Sequence, residues 1–147
     1  MTGAVDRALR LWEASIPDGD AAVAAFRDAY ADPLVINGVE WTVTALVERA
    51  RATQAALADI GFQVVDRIDT GDRCAIAFRQ WGRHVGALPG EHAVAPSGER
   101  VEGLGMDMFR LVGDRITEIW VLSDLLVQLV GPAKLPPRHP WQASDKP

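Results

Sequence analysis

Hydrophobic residues in the first part of the chain recur three and four positions apart, a spacing that places them on one face of a helix. Three helices are predicted in this way. Their apolar faces are Val5, Leu9 and Trp12, then Val23, Phe26 and Tyr30, then Leu46, Ala50, Thr53 and Leu57 in a helix over about Val43–Ala58. Asp18 or Asp20 is expected to cap the second helix. Asp32-Pro33 is expected to end it, because a residue before proline is pushed out of the helical region.

From Phe62 onward hydrophobic residues alternate with polar ones, which is typical of strands with one buried face. Strands are predicted over Phe62–Thr70, Cys74–Gln80, about Arg100–Leu111 and Arg115–Leu122. A loop is expected over residues 87–98, and one or two helical turns over Asp124–Val130. Helices followed by antiparallel strands predict an α+β domain. We expect a single cone-shaped barrel, in which a strongly curved antiparallel sheet wraps around the helices and leaves an internal apolar pocket.

The length of 147 residues suits one domain. We place that domain at residues 1–131 and a proline-rich tail at residues 132–147. The net charge of −5 argues against nucleic acid or an anionic membrane as the main partner, because both select basic surfaces. Cys74 is the only cysteine, so neither a disulfide within the chain nor a thiolate metal cluster is expected. Since no signal sequence and no long apolar run is seen, a cytoplasmic protein is predicted.

Two short segments carry the candidate chemistry. Trp81-Gly82-Arg83-His84-Val85-Gly86 sets a histidine between two glycines after a strand, and Trp120-Val121-Leu122-Ser123-Asp124 sets a carboxylate at a strand end. A carboxylate that faces an apolar pocket has a raised pKa and can act as a base. Asp124 and His84 are therefore candidates for proton transfer. Each also has a structural interpretation: Asp124 as a helix cap, and His84 as a strand-end residue bonded to backbone groups.

With these residues placed, the sequence resembles the SnoaL-like family, small polyketide cyclases of the nuclear-transport-factor-like fold. Gly82-Arg83-His84-Val85-Gly86 resembles the family's Gly-x-His-x-Gly element, and residues 96–100 follow it. Gly113-Asp114-Arg115-Ile116-Thr117-Glu118-Ile119-Trp120 is similar to the family's Gly-Lys-Ile-x-Glu-x-Trp, with Asp124 and Gln128-Leu129 after it. The resemblance spans about residues 4–131 and implies a cone-shaped α+β barrel with a deep apolar pocket.

The resemblance also implies an enzyme of natural-product or antibiotic biosynthesis, which closes a ring in a substrate without a metal or an organic cofactor. In such cyclases an aspartate, here Asp124, removes a proton from a carbon flanked by carbonyls. The resulting enolate attacks a second carbonyl of the same molecule in an aldol reaction. The implied ligand is a hydrophobic polycyclic or polyketide-like small molecule. Two or more copies of the chain are expected to pair through an exposed sheet face as a homodimer or higher homo-oligomer.

One strand departs from the family pattern. In related aldol cyclases, polar residues that include a histidine occupy about the positions of Gly105 and Asp107. Alternation places Asp107 on the strand face opposite Met106 and Met108, so it faces solvent if the methionines line the core and faces the pocket if they do not. A second pocket aspartate favours other reactions: hydroxylation of an aromatic polyketide with a partner reductase, or epoxide hydrolysis or pyran-ring closure. A non-enzymatic ligand-binding module is the remaining alternative.

Aromatic residues with a few polar ones are expected to line the pocket, because aromatic faces stack on flat polycyclic ligands. The candidates for substrate binding are Trp12, Tyr30, Asn37, Trp81, Gly105, Phe109 and Trp120. His92 and His139 are too far apart in the sequence to suggest a metal site, and no glycine-rich phosphate loop is present. The sequence therefore predicts neither a metal nor a cofactor site.

Overall fold

The computed structural model describes residues 3–87 and 95–124. In these residues the elements are α1 (Ala4–Glu13), α2 (Asp20–Ala29), β1 (Tyr30–Ile36), β2 (Val39–Trp41), α3 (Val43–Ala56), β3 (Leu57–Thr70), β4 (Arg73–His84), β5 (Arg100–Val112) and β6 (Arg115–Ser123). The predicted α+β class is confirmed. The predicted tail, the helical turns after Asp124 and most of the predicted 87–98 loop lie outside the described residues.

The strands of this described part form one sheet in the order β2-β1-β6-β5-β4-β3. Neighbouring strands from β3 to β6 are antiparallel, as predicted. However, β1 runs parallel to β6, so the sheet is mixed rather than wholly antiparallel, and its strand order does not close into a full barrel. The parallel pair arises because α3 and the meander from β3 to β5 bring the chain back beside β1 in the same direction.

The helices begin where the sequence indicates but end earlier. The N-cap of α2 is Gly19, with φ of 65° and no side-chain capping bond, so the predicted cap by Asp18 or Asp20 is wrong. The N-cap of α3 is Thr42, whose side chain accepts a hydrogen bond from Ala45 N–H. That helix ends at Ala56 rather than near Ala58.

Strands β3 and β4 are both longer than predicted. They pair continuously from Leu57 opposite His84 to Thr70 opposite Arg73, with two register shifts. The pairing therefore extends β4 beyond its predicted end at Gln80 as far as His84. The same pairing recruits Leu57, whose spacing had indicated a helix, into a strand.

All three described helices pack on the same face of the sheet, here called the inner face. The shared core includes Val5 from α1, Phe26 from α2, Val47 from α3, Ile76 from β4 and Ile116 from β6. Burial of this much apolar surface is the main driving force for such a fold. None of the described helices is long and apolar enough to cross a membrane.

Candidate active site

A cavity of about 730 Å³ lies between the inner face of the sheet and helices α1 and α3. Most of its wall is apolar or aromatic. Its lining includes Ala8, Leu9, Trp12, Ile36, Val39, Trp41, Leu46, Leu57, Ile60, Phe62, Phe78, Trp81, Phe109, Ile119 and Val121. The other lining residues are Tyr30, Asn37, Arg49, Thr53, Gln54, Gln80, Asp107 and Ser123. A cavity of this size and polarity suits a flat organic ligand that carries a few polar groups.

Asp107 faces this cavity from the middle of β5. Met106 and Met108 are 61% and 44% exposed, so they lie on the outer face of the sheet and alternation directs Asp107 inward. The Oδ1 atom of Asp107 is buried and has no hydrogen-bond partner among the described residues. Burial raises the pKa of Asp107 from 3.8 to about 7. The carboxyl group can therefore exchange a proton with a ligand near neutral pH.

The residues beside Asp107 on the inner face of β5 shape the cavity around its carboxyl group. Gly105 precedes Asp107 on the same face, and a Cβ atom built on Gly105 would lie 2.3 Å from the ring of Phe78. The missing side chain thus leaves room for Phe78, which stacks on Phe62 with the ring centroids 4.6 Å apart. Phe109 continues the apolar face beyond the carboxyl. Gly105 therefore shapes the cavity wall.

Tyr30 and Trp12 form a hydrogen-bonded pair in the cavity wall. The indole Nε1 of Trp12 donates to the hydroxyl oxygen of Tyr30 at 2.9 Å. Burial raises the pKa of Tyr30, the hydrogen bond from Trp12 lowers it, and the charge of Asp107 raises it further. Tyr30 is therefore a neutral phenol over the physiological pH range.

Three lining amides are held by hydrogen bonds. Asn37 donates to the carbonyl oxygen of Val121 at 3.2 Å and accepts from Val121 N–H at 2.8 Å, so its amide joins the β1–β2 turn to β6. Gln80 Nε2 donates to Ser123 Oγ at 2.9 Å. Gln54 bonds the backbone after α1, and its Nε2 donates to the carbonyl oxygen of Ala14 at 2.8 Å. These bonds fix the polar parts of the wall.

His84 is buried, with only 1% of its surface exposed. Its backbone N–H donates to Glu99 and its carbonyl oxygen accepts from Gly98, which continues the strand pairing. Neither ring nitrogen has a partner within residues 3–87 and 95–124, and His84 is not among the cavity-lining residues. Its proposed catalytic role stays a prediction, with no contact to the cavity that would support it.

Asp124 also lies apart from the cavity lining. Its Oδ1 accepts a hydrogen bond from Leu104 N–H at 2.6 Å, and its own N–H donates to the Leu104 carbonyl oxygen at 2.9 Å. Ser123, the preceding residue, is the one that lines the cavity. The carboxylate of Asp124 thus extends the pairing of β5 with β6, and the assignment of Asp124 as the base stays a prediction.

The other predicted binding residues divide in two. Trp12, Tyr30, Asn37, Trp81 and Phe109 line the cavity. Gly105 and Trp120 are not among the lining residues. Trp120 is 48% exposed, and its Nε1 donates to the Glu118 carboxylate at 3.0 Å. Sequence reasoning missed the lining residues Phe62, Phe78, Gln80, Arg49 and Ser123, although alternation continued through β4 would have indicated Phe78 and Gln80.

The charged groups of the described cavity lining are one carboxylate, Asp107, and one cation, Arg49. In the same part of the chain, no group of three or more His, Cys, Asp or Glu residues is arranged to hold a metal ion. Proton transfer by Asp107, assisted by neutral donors such as the Tyr30 hydroxyl, is therefore the chemistry that this lining offers.

Comparison with solved structures identifies the same fold in several proteins. AclR from Streptomyces galilaeus, a suggested hydroxylase, is 22% identical with a TM-score of 0.64, covering 90% of this chain and 97% of AclR. A suggested SnoaL-like polyketide cyclase from Jannaschia sp. CCS1 is 20% identical with a TM-score of 0.67, covering 90% and 93%. IdmH from Streptomyces antibioticus, a suggested polyketide cyclase, is 25% identical with a TM-score of 0.62, covering 86% and 97%.

A comparison with curated proteins finds no match. The sequence profile described as SnoaL-like polyketide cyclase matches residues 6–130. The match covers the sheet, all of the described helices except the first two residues of α1, and every described residue of the cavity wall. The chain therefore belongs to the SnoaL-like polyketide cyclase family.

Proposed function

We propose that the protein closes a ring in a polyketide-like intermediate of natural-product biosynthesis, with Asp107 as the group that moves the proton. One observation carries this proposal: Asp107 presents a carboxyl without a hydrogen-bond partner among the described residues to a largely apolar cavity. Its pKa, raised by burial to about 7, is near the working pH that is best for a general base. The family assignment supports a polyketide-like ligand.

In the proposed reaction, ionised Asp107 takes a proton from a carbon that is flanked by carbonyl groups. The enolate carbon forms a bond to a second carbonyl carbon of the same molecule, and the oxygen of that carbonyl becomes an alkoxide. Protonated Asp107 then returns its proton to the alkoxide, so the reaction is an isomerisation and the enzyme is regenerated. The enclosing wall holds the two carbons together, which supplies the proximity contribution to the rate.

Asp107 replaces Asp124 as our candidate base because of their surroundings. The carboxylate of Asp124 accepts a backbone hydrogen bond at 2.6 Å, and Asp124 does not line the cavity. A base must come within hydrogen-bond reach of the proton that it removes. Asp107 lines the cavity and can meet this requirement for a ligand bound against β5.

A second candidate function is hydroxylation of an aromatic polyketide. It is favoured by Asp107 facing the cavity at the position where a histidine is expected in aldol cyclases, and by the fold shared with AclR, a suggested hydroxylase. Epoxide hydrolysis or pyran-ring closure by two aspartates is less supported, because Asp107 is the one carboxylate in the described lining.

Deuterium exchange into β-tetralone, a flat bicyclic ketone, tests proton removal without knowledge of the natural substrate. We expect the wild-type protein to accelerate exchange at the carbon next to the carbonyl, and Asp107→Asn to lower the rate by roughly 10²- to 10⁴-fold. Asp124→Asn is the matched control and is expected to exchange at nearly the wild-type rate. Loss of exchange in Asp124→Asn with retention in Asp107→Asn would return the base to Asp124. Unaccelerated exchange in the wild type would favour the binding-module alternative.

We also propose that the chain forms a homodimer through the outer face of β5 and β6. This face exposes Leu104, Met106, Met108, Trp120 and Leu122, each 44% to 67% exposed. Such a contiguous apolar surface is typical of an interface.

The charges on β5 favour a second copy as the partner. Glu102 and Arg110 lie at opposite ends of the apolar stretch, both exposed and on the same face as Met106 between them. A two-fold axis near Met106 would set Glu102 of one copy against Arg110 of the other, which makes the face self-complementary. We expect Met106→Asp to turn a dimer into a monomer in sedimentation velocity. A monomeric wild-type protein would refute the proposal.

A further inference from the structure

We propose that the Tyr30 hydroxyl donates a hydrogen bond to the substrate carbonyl oxygen that becomes the enolate oxygen. Trp12 would act through Tyr30 as a positioning residue. This inference rests on the proposed function, because it names the group that stabilises the charge created when Asp107 removes a proton.

The hydrogen bond between the two side chains fixes which hydrogen remains available. An indole nitrogen can only donate, so Tyr30 oxygen is the acceptor in its 2.9 Å bond from Trp12 Nε1. The hydroxyl hydrogen of Tyr30 therefore needs a different acceptor. The structure shows none among the described residues, while Tyr30 lines the cavity. A ligand oxygen in the cavity is the acceptor that completes this pair.

Aromatic packing holds Tyr30 and Trp12 in place. The ring of Phe26 stacks on Tyr30 with the centroids 5.8 Å apart and meets Trp12 edge-on at 6.3 Å. Tyr30 itself is 3% exposed. A donor held in this way loses little freedom when the ligand binds, and such preorganised donors stabilise developing charge effectively.

Tyr30 and Asp107 have different roles because they lose their protons at different pH values. Burial raises the pKa of Tyr30 above its ordinary value of 10.0, the Trp12 hydrogen bond lowers it by less, and the charge of Asp107 adds a smaller rise. Tyr30 thus stays protonated while Asp107 exchanges its proton. In the proposed step the proton moves from carbon to the Asp107 carboxylate, and Tyr30 keeps its own proton and shares it with the enolate oxygen in a hydrogen bond.

Binding of naphthols to Asp107→Asn tests this assignment independently of turnover. Asparagine is neutral, as Asp107 is after it has accepted the proton, and an ionised naphthol resembles the enolate in shape and charge. We expect the bound naphthol to be ionised, which its absorbance and fluorescence report. Adding Tyr30→Phe should weaken naphtholate binding by about 10- to 100-fold, the range for hydrogen bonds to charged groups.

Naphthalene, which lacks the hydroxyl, is the control ligand. It should bind Asp107→Asn and the double variant with Tyr30→Phe equally. Adding Trp12→Phe instead should weaken naphtholate binding by roughly 2- to 10-fold, because it removes one neutral hydrogen bond. Trp120→Phe is the matched tryptophan control outside the cavity and should leave binding unchanged. Equal loss of naphthalene and naphtholate in Tyr30→Phe, or no loss of either, would overturn the proposal.

A second measurement avoids the risk that Tyr30→Phe disturbs folding. The chain has a single tyrosine, so growth on fluorotyrosine modifies position 30 alone. Fluorine makes the phenol a stronger hydrogen-bond donor, so we expect tighter naphtholate binding and unchanged naphthalene binding. Unchanged or weaker naphtholate binding would contradict a donating Tyr30. Retained exchange of β-tetralone in Asp107→Asn would instead refute the proposed function and leave the binding result standing.

Discussion

The ionisation of Asp107 should make the protein less stable as the pH rises, and Asp107→Asn should remove this effect. The folded protein holds the Asp107 proton up to a pKa of about 7, whereas the unfolded chain releases it near 3.8. Between these values the folded state binds more protons than the unfolded state. The contribution of Asp107 to the free energy of unfolding therefore falls as the pH rises from about 4 to 7 and is constant above that range.

The magnitude follows from the difference between the two pKa values. A difference of about three pKa units, at roughly 1.4 kcal/mol each, corresponds to about 4 kcal/mol of lost stability above neutral pH. The Asp107 carboxyl is mostly buried, so solvent screens little of this energy. Asp32 and Asp69 have pKa values lowered by Val43 N–H and by Arg67, respectively. Their stabilisation is lost at more acidic pH, and it is common to the wild type and the variant.

Urea denaturation of the wild type and Asp107→Asn over a range of pH measures the effect as a difference between two proteins. We expect the variant to gain stability relative to the wild type by about 1.4 kcal/mol per pH unit between roughly pH 4 and 7. Any fixed cost of burying the asparagine amide shifts the whole curve without changing its slope. Asp124→Asn is the control for loss of a carboxylate outside the cavity. A difference that stays flat across this range would refute a raised pKa for Asp107.

Three further predictions follow from the same geometry. Gly105→Ala places a methyl group 2.3 Å from the Phe78 ring, and we expect it to destabilise the protein by about 1–3 kcal/mol in urea denaturation and to weaken naphthol binding. Asn37→Ala loses both hydrogen bonds to Val121 at a residue with φ of 50°, and we expect urea denaturation to show a free energy of unfolding lower by about 1–3 kcal/mol. Asn37→Gly should destabilise the protein less, because glycine tolerates positive φ. Exchange of β-tetralone should rise with pH to a plateau with a midpoint of about 7, the pKa of Asp107, and an exchange rate independent of pH would contradict general-base catalysis by Asp107.

The hydrophobic pattern predicts most of the helices and strands, because the residues that are buried in the fold are the hydrophobic ones. Cys74, Ile76 and Phe78 alternate with other residues along the predicted strand Cys74–Gln80, and all three are buried on one face of β4. The start of β3 at Leu57 could not be predicted, because the pairing of Leu57 with His84 is a contact between distant segments. The parallel pairing of β1 with β6 likewise depends on the path of the whole chain.

The candidate site shows where local pattern stops being informative. Alternation puts Asp107 opposite Met106 and Met108 but cannot tell which face is buried. The packing is visible only in the structure: Gly105 leaves room for the ring of Phe78 on the inner face, and the two methionines lie on the outer face. The family position favoured Asp124 as the base, whereas the backbone bond from Leu104 N–H to its carboxylate appears only in three dimensions.

Measurement of the pKa of the Asp107 carboxyl tests directly whether this group can act as the base. Carbon-13 NMR of protein labelled at the aspartate carboxyl carbons gives the titration of each aspartate, and the resonance missing from Asp107→Asn identifies position 107. We expect a titration midpoint of about 7 for this carboxyl. A midpoint near the ordinary aspartate value of about 4 would contradict a carboxyl prepared by burial to move the substrate proton.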